Sequence, residues 1–459
     1  MSRRWQVFTI VSAGVFLSSL DLFIVNIAFP AINRDFADAT LAQLAWILDA
    51  YAIVFAALLV PAGRMADRAG RKRAFLAGLA VFSLASAACA AAPSVAFLVA
   101  FRIVQAAGAA LIVPTSLGLI LPEFAPEERA KAVGLWAAMG AVGAAAGPPI
   151  GGLLVQGSWR LVFLVSVPVG AAAMIAGARV LREQRDETAT RMPDLPGAGL
   201  LASAIGVLVL GIVEGPSWGW GSSRVLGAFA AALAGLAVFA WRSARHHTPV
   251  VEPAILRLPG FGLANAATLL FFAAFGAMVL AAALFLTGVW HYSVLTAGLA
   301  LAPGPVMAAV GSAAGGRIVT RGGVRAAAVP GGLLFAGSMT ALALWMTPEP
   351  HYLTRYLPWN LLGGFGIGLV IASLSAAVAA SLPSQRFATG TAIFSMARQI
   401  GIALGVAVLV AIVSVPDAAD PVGVFATAWT AMAMGGLVVA AMATGLGGAR
   451  RPAPQPAPA

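Results

Sequence analysis

The chain of 459 residues has one cysteine, four histidines and four tyrosines, and only 10% of its residues are charged. A single thiol, Cys89, excludes a disulfide framework and a thiolate metal site, and its place in an apolar run suits a small packing residue. Four scattered histidines and one cysteine build no catalytic or metal cluster, so neither an enzyme nor a bound cofactor is expected. The Gly-Lys-Ser/Thr element of a nucleotide-binding loop is missing, so ATP would have to be used by a separate subunit. A soluble protein carries roughly 25% charged residues. This chain, 60% hydrophobic with a mean hydropathy of +0.92, is not an ordinary soluble protein.

What replaces the charge is a series of apolar runs, each near the roughly 20 residues that a helix needs to cross a bilayer. Cutting at charge clusters and at Pro/Gly breaks gives fourteen spans, near 7–30, 44–63, 74–92, 96–120, 131–154, 161–181, 197–214, 225–242, 262–289, 295–316, 326–346, 356–380, 387–412 and 423–446. Residues 258–316 hold no Asp, Glu, Lys or Arg, so they contain two spans joined by an uncharged turn at Trp290-His291-Tyr292. His291 there reads as an interface residue.

The net charge of +11 would suggest nucleic acid in a soluble protein, but the bases are dispersed at span ends. Of 28 Lys and Arg, 22 fall in eight short segments on alternate connections; the opposite connections hold only Arg34, Arg160, Arg224 and Arg355. That asymmetry puts the basic loops and both termini in the cytoplasm, with no nucleic-acid partner. The run after Arg3 and Arg4 is too long for a signal peptide and lacks a cleavage site, so it is expected to remain as the first helix. The Pro-rich end, 448–459, reads as a disordered cytoplasmic tail.

Gly63-Arg-Met-Ala-Asp67-Arg68-Ala-Gly70-Arg71-Lys72 recurs in outline as Gly316-Arg-Ile-Val-Thr320-Arg321-Gly-Gly323-Val-Arg325, at a constant offset of 253. Each copy follows the second helix of a six-helix block. The expected fold is therefore all-α and polytopic: an N-terminal bundle over 1–190, two inserted helices and a linker over 191–257, and a C-terminal bundle over 258–447. Parallel repeats of this kind rock about a site near the membrane midplane. In the loop, glycines permit positive φ and Asp67 can charge-stabilise a helix N-terminus.

These residues resemble the major facilitator superfamily, and within it the fourteen-helix drug:proton antiporter family, over essentially the whole chain. The loop from Gly63 to Lys72, with Gly63, Asp67, Arg68, Gly70 and Arg71, is similar to the superfamily's gating loop. Leu20-Asp21-Leu-Phe-Ile-Val-Asn26-Ile-Ala-Phe-Pro30 resembles the first-helix motif, and Phe101-Arg102-Ile-Val-Gln105-Ala-Ala-Gly108 the fourth-helix arginine motif. Gly143-Ala-Ala-Ala-Gly147-Pro148-Pro149-Ile-Gly151-Gly152 resembles the antiporter signature, followed by Trp159-Arg160. Ser395-Met-Ala-Arg398-Gln399-Ile-Gly401 resembles the penultimate-helix motif. The chain departs at Ala106, where many relatives have Gly, at Ser166, where Asn is usual, and at Thr320, which lacks the charge of Asp67. The resemblance implies export of small amphipathic drugs, biocides or antibiotics in exchange for protons, by a monomer in a bacterial cytoplasmic membrane. A dedicated exporter of one endogenous metabolite and a transport-inactive sensor are the alternatives.

Arg102 and Arg398 lie within apolar runs, where an unpaired charge is costly and functional. Counting 1.5 Å per residue puts Asp21 about 13 Å, Arg102 about 9 Å and Asp49 about 8 Å below the outer surface. Asp21 is the expected proton site and Arg102 its modulator, since burial and a nearby cation move a carboxylate's affinity for protons in opposite directions; a structural ion pair is the competing reading. Asp49 is either a second proton or cation site or uninvolved. Glu214 reads as a solvated cap more than a ligand. Arg398 and Gln399 face either the central cavity or the interface between halves. The small residues of the fifth helix let helices approach, and Pro148 and Pro149 invite a bend.

Overall fold

The computed structural model describes residues 2–185, 191–383, 386–414 and 420–446. Fourteen helical spans in it are long and apolar enough to cross a bilayer, and no strand occurs among the described residues. They are α1 (Arg3–Asp35), α2 (Leu41–Ala69), α3 (Arg71–Ala90), α4 (Val95–Glu123), α5 (Pro126–Val155), α6 (Leu161–Val180), α7 (Leu195–Val213), α8 (Ser223–Arg245), α9 (Phe261–Val289), α10 (Val294–Gly322), α11 (Val324–Trp345), α12 (Tyr352–Ala380), α13 (Thr389–Val413) and α14 (Pro421–Gly445). The chain is a multi-pass membrane protein. The expected tail at 448–459 lies outside the described residues, as does the expected boundary at 190.

Each expected span meets one helix, but α1 and α2 run further than hydropathy alone implies. Arg3 and Arg4 lie inside α1, and Arg64 to Ala69 inside α2. A helix has no reason to stop where the hydrocarbon stops; it stops where the backbone is diverted. At Gly70, φ is +117° and α2 turns directly into α3; at Gly323, 253 residues later, φ is +81° and α10 turns into α11. Glycine adopts this region without the Cβ penalty of other residues. Starts are set by side chains: Thr40 and Gln43 form a reciprocal capping box on α2, and Ser94, Asp194, Ser222 and Ser293 cap α4, α7, α8 and α10.

The helices pack as two equivalent sets. In the first, α1 lies on α5 and α6, α4 on α2 and α3, and α3 on α6; in the second, α9 lies on α13 and α14, α12 on α10 and α11, and α11 on α14. The pairings are the same after a shift of eight helices. The halves meet through α2 against α13 and α5 against α10, while α7 covers the α2/α13 seam and α8 packs on α7. Arg242 on α8 grips Asp194, the cap of α7, through Nε and Nη2 at 2.7–3.1 Å.

Candidate functional site

The buried charge sits where four helices of the first half converge. Asp21 on α1 and Arg102 on α4 are each 1% exposed. Arg102 Nη1 donates to Asp21 Oδ2 at 2.5 Å and to Gln105 Oε1 at 2.6 Å, and its Nε donates to the Ile47 carbonyl of α2 at 2.9 Å. Gln105 Nε2 donates to Asp21 Oδ1 and to Ser86 Oγ on α3, both at 2.8 Å, and the Ser86 hydroxyl in turn donates a hydrogen bond to the Phe82 carbonyl. The guanidinium lies 4.1 Å from the centroid of the Tyr51 ring and 5.9 Å from that of Phe163. Both carboxylate oxygens are thereby engaged, one by a cation and one by a neutral amide. Charge-assisted bonds of this length are the strong kind, and a buried pair of ions persists only with such extra partners.

The fifth helix fixes α1 behind this pair. A methyl group added at Gly143 would lie 2.6 Å from the Phe16 carbonyl, and at Gly147 2.8 Å from Phe23 Cβ; at Gly151 it would meet Ile24 and Ile27. These three glycines bring the α5 backbone against α1 on either side of Asp21. Gly152 faces the other way, where a methyl group would lie 2.9 Å from Leu295 Cα of α10, and Gly298 of α10 abuts the Pro148 carbonyl. The helix runs unbroken through Pro148 and Pro149. The second half carries a counterpart that sequence comparison by motif did not reveal: Gly401 and Gly405 of α13 abut the Leu269 and Ala273 carbonyls of α9, with Gly276 of α9 against Ile402. The signal was present as the four-residue spacing Gly401-Ile-Ala-Leu-Gly405.

Asp49 is not part of the cluster. It is 1% exposed, but it lies two residues from both Ile47 and Tyr51, which face Arg102, and so points about 160–200° away around α2. Its neighbours on that face, Ala45, Ala52, Ile53 and Ala56, are buried in the large apolar core, and α2 packs on α7 and α13 as well as on α4. Neither of its carboxylate oxygens has a hydrogen-bond partner among the described residues. The three ionisable groups share a depth but not a face. Glu214 is also apart: it accepts from Ser217 Oγ at 2.6 Å at the end of α7, a local cap. Asn26 donates to the Leu22 carbonyl of its own helix. Gln399 is buried on α13, and Arg398 rests on the face of Phe272, 4.7 Å from the ring centroid.

The loop after α2 is tied down on all sides. Asp67 does not cap α3, as its position suggested; it lies in the last turn of α2, and its carboxylate accepts from Arg71 Nε at 2.7 Å. The capping is done by Glu183, beyond α6, whose carboxylate accepts from the Lys72 and Arg73 amides at 3.0 and 3.3 Å. That residue carries no motif and is 111 positions from Lys72, so no local pattern marked it. Gly63 packs against Pro114 of α4, where an added methyl group would lie 3.3 Å from Pro114 Cβ. Arg64 reaches Glu252 and the Pro249 carbonyl, both at 2.8 Å, and Arg68 meets the Met192 sulfur. At the opposite ends of the helices, Asp35 accepts from Trp159 Nε1 and Arg160 Nη1, each at 2.8 Å, joining α1 to α6; their hydrogen bonds hold its carboxyl group in place.

Comparison with known proteins agrees with this architecture. The Major Facilitator Superfamily model matches residues 11–406. The chain is 35% identical over 408 residues to the tetracenomycin C resistance and export protein of Streptomyces glaucescens, covering 89% of this chain and 75% of that one. It is likewise 35% identical to the multidrug resistance protein Stp of Mycobacterium tuberculosis, covering 89% and 76%, and 34% identical to the methylenomycin A resistance protein of Streptomyces coelicolor, covering 87% and 84%. Among solved structures, the human organic anion transporter MFSD10 matches with a TM-score of 0.66 at 15% identity, over 96% of this chain and all of that one, which shows the fold. The relatives, the repeated helix pairings and the fourteen spans together place the chain in a family whose members carry small molecules across membranes: it belongs to the Major Facilitator Superfamily.

Proposed function

We propose that the protein exports amphipathic drugs or antibiotics from the bacterial cytoplasm in exchange for protons, by alternating access of two bodies, 1–190 and 258–447. The inserted pair within 191–257 rides on the α2/α13 seam. The observation that carries the coupling is the buried pairing of Asp21 with Arg102 and Gln105 across α1 and α4. A carboxylate whose counter-charge lies on another helix changes its affinity for a proton when the two helices move. Protonation removes the reason for Arg102 to stay, and its departure favours protonation, so a shift of α1 against α4 and proton exchange are one event. With roughly 150 mV across the membrane, one entering charge supplies about 3.5 kcal/mol.

The glycine contacts of α5 with α1 on one side and α10 on the other suit a sealed exchange, since a loosened contact there opens a path for leak. The loop tied by Asp67, Arg71 and Glu183 acts on the basic, cytoplasmic ends. Both termini lie in the cytoplasm: with Cys89 replaced, a cysteine at Ala69 is labelled only from inside and one at Ala39 only from outside.

Substrate breadth is tested by a resistance profile of a host expressing the protein against a chemically broad panel, with and without a protonophore. Resistance to several unrelated compounds, abolished when the proton gradient collapses, is the expected result. Resistance that survives gradient collapse contradicts proton drive. Protection against a single compound favours a dedicated exporter, a reading for which the tetracenomycin C relative speaks.

A further inference from the structure

The second half contains a cation within a membrane span, Arg398, that no acidic group neutralises among the described residues. No span of the second half, from α9 to α14, contains an Asp or a Glu. Arg398, near the middle of α13, has no hydrogen bond or ion pair among the described residues, and its Nε is buried without a partner. Of the two acidic groups within spans of the first half, Asp21 is engaged by Arg102, and Asp49 has no hydrogen-bond or ion-pair partner among the described residues, Arg398 included.

The surroundings indicate what the guanidinium faces. From Thr389 to Val413 only Val408 is strongly exposed, because α2, α7, α9 and α14 enclose α13. Within that enclosure Thr391, Ser395, Arg398 and Ile402 share one face at helical spacing and are all partly open. The partly open strip is polar from its basic end, by Arg386, up to Arg398. Beyond it stands an aromatic wall: Phe272 under the guanidinium, Phe275 at 5.6 Å from Phe272, and Phe23 of α1 at 6.0 Å from Phe275. Phe23 is two residues past Asp21, so the wall joins the two halves.

We propose that Arg398 is the recognition site for an acidic group on the transported molecule, a carboxylate or sulfonate, whose aromatic body lies along Phe272, Phe275 and Phe23. A guanidinium offers a planar fork that matches such anions, and an unpaired charge at this depth is costly unless a counter-ion visits it. The substrate class is then amphipathic aromatic anions. This rests on the reading of the protein as an exporter of amphipathic compounds.

The test is equilibrium binding without any gradient, so that it stands or falls separately from proton coupling and export. Purified protein in phosphatidylcholine nanodiscs is titrated with 1-pyrenesulfonate and, in parallel, 1-pyrenemethanol, following quenching of tryptophan emission against empty nanodiscs. The wild type should bind the sulfonate more tightly than the alcohol. Arg398→Gln should weaken sulfonate binding at least about tenfold, as loss of a charged hydrogen bond implies, and leave the alcohol unchanged; Arg398→Lys should keep most of the preference. Thermal melting checks that each variant is folded. Equal affinity of the wild type for both probes, unchanged sulfonate binding by Arg398→Gln, or parallel loss of both probes by a folded Arg398→Gln would each overturn the assignment.

Discussion

Lys72 and Arg325, 253 residues apart, make the same contact in the two halves. Lys72 Nζ donates to the Ala178 carbonyl near the end of α6 at 2.8 Å, and Arg325 Nε donates to the Leu446 carbonyl just past the end of α14 at 2.6 Å. Each base follows a positive-φ glycine and ties the start of a third helix to the last carbonyls of a sixth, where a cation complements the helix dipole. The shared sequence pattern is thus a shared joint. What differs is the acid: Thr320 bonds only the Arg317 carbonyl, while Asp67 holds Arg71.

The joint in the first half should be the more sensitive one. Gly70→Ala forces a side chain into φ +117° and against the Glu183 carboxylate, which should lower stability by about 1–3 kcal/mol. Glu183→Ala removes the cap on two amides of α3, at a cost of about 1 kcal/mol. Thermal melting in detergent reads both; a Glu183→Ala protein as stable as wild type would show that the cap is dispensable.

Crowding at the antiporter glycines should be position-specific. Gly143→Ala pushes α5 away from the Phe16 carbonyl, whereas at Gly134, nine residues earlier on α5, an added methyl group meets nothing within 4 Å. Gly134→Ala should therefore transport normally and Gly143→Ala poorly, at matched expression. Equal rates for the two would remove close α1–α5 packing from the account.

Asp49 and Arg102 should answer differently to neutralisation. Asp49→Asn replaces a buried carboxyl group that makes no hydrogen bond among the described residues and should melt no lower than wild type. Arg102→Gln leaves the Asp21 carboxylate buried beside lost donors, which should destabilise by roughly 3–5 kcal/mol if the acid stays charged, and should move the pH profile of export upward, because loss of the cation favours the protonated form. A lower melting temperature for Asp49→Asn than for Arg102→Gln would contradict the assigned pairing.

The clamp between α7 and α8 has its own pH dependence. Burial pushes the Asp194 carboxyl up, but hydrogen bonds from Arg242 and the Gly197 amide outweigh it and hold it below the usual carboxylate range. A depressed value means that the stabilisation is complete above the unfolded value near 4 and is lost as pH falls through the folded one. Protection of α8 against hydrogen exchange, taken relative to the intrinsic rate at each pH, should thus fall below about pH 4 in wild type, and an Asp194→Asn protein should show no such step. An identical step in both would assign it to another group.

Much of this was legible in the chain because hydropathy records the spans: every span had its helix, and the 253-residue repeat marked both joints. A common level for Asp21, Arg102 and Asp49 was legible, since rise per residue is fixed, and the Arg102 contacts to Asp21, Ile47 and Tyr51 share it. Azimuth was equally available for Asp49, two residues from Tyr51, but only the Arg102–Ile47 contact shows which face of α2 looks inward. Glu183, Arg64 with Glu252, and Asp35 with Arg160 were not legible, because contacts over more than 100 residues with no motif at either end leave no local trace.

Proton coupling through Asp21 is the central claim, and uphill efflux by Asp21→Asn in proteoliposomes tests it most directly. Reconstituted wild type, given a pH step, should concentrate substrate against its gradient. Asp21→Asn should be folded and inserted, keep binding substrate, and let it run downhill without converting the pH step into uphill transport. Concentrative transport at the wild-type level by Asp21→Asn would contradict the account and move the proton to another carboxylate, Asp49 first.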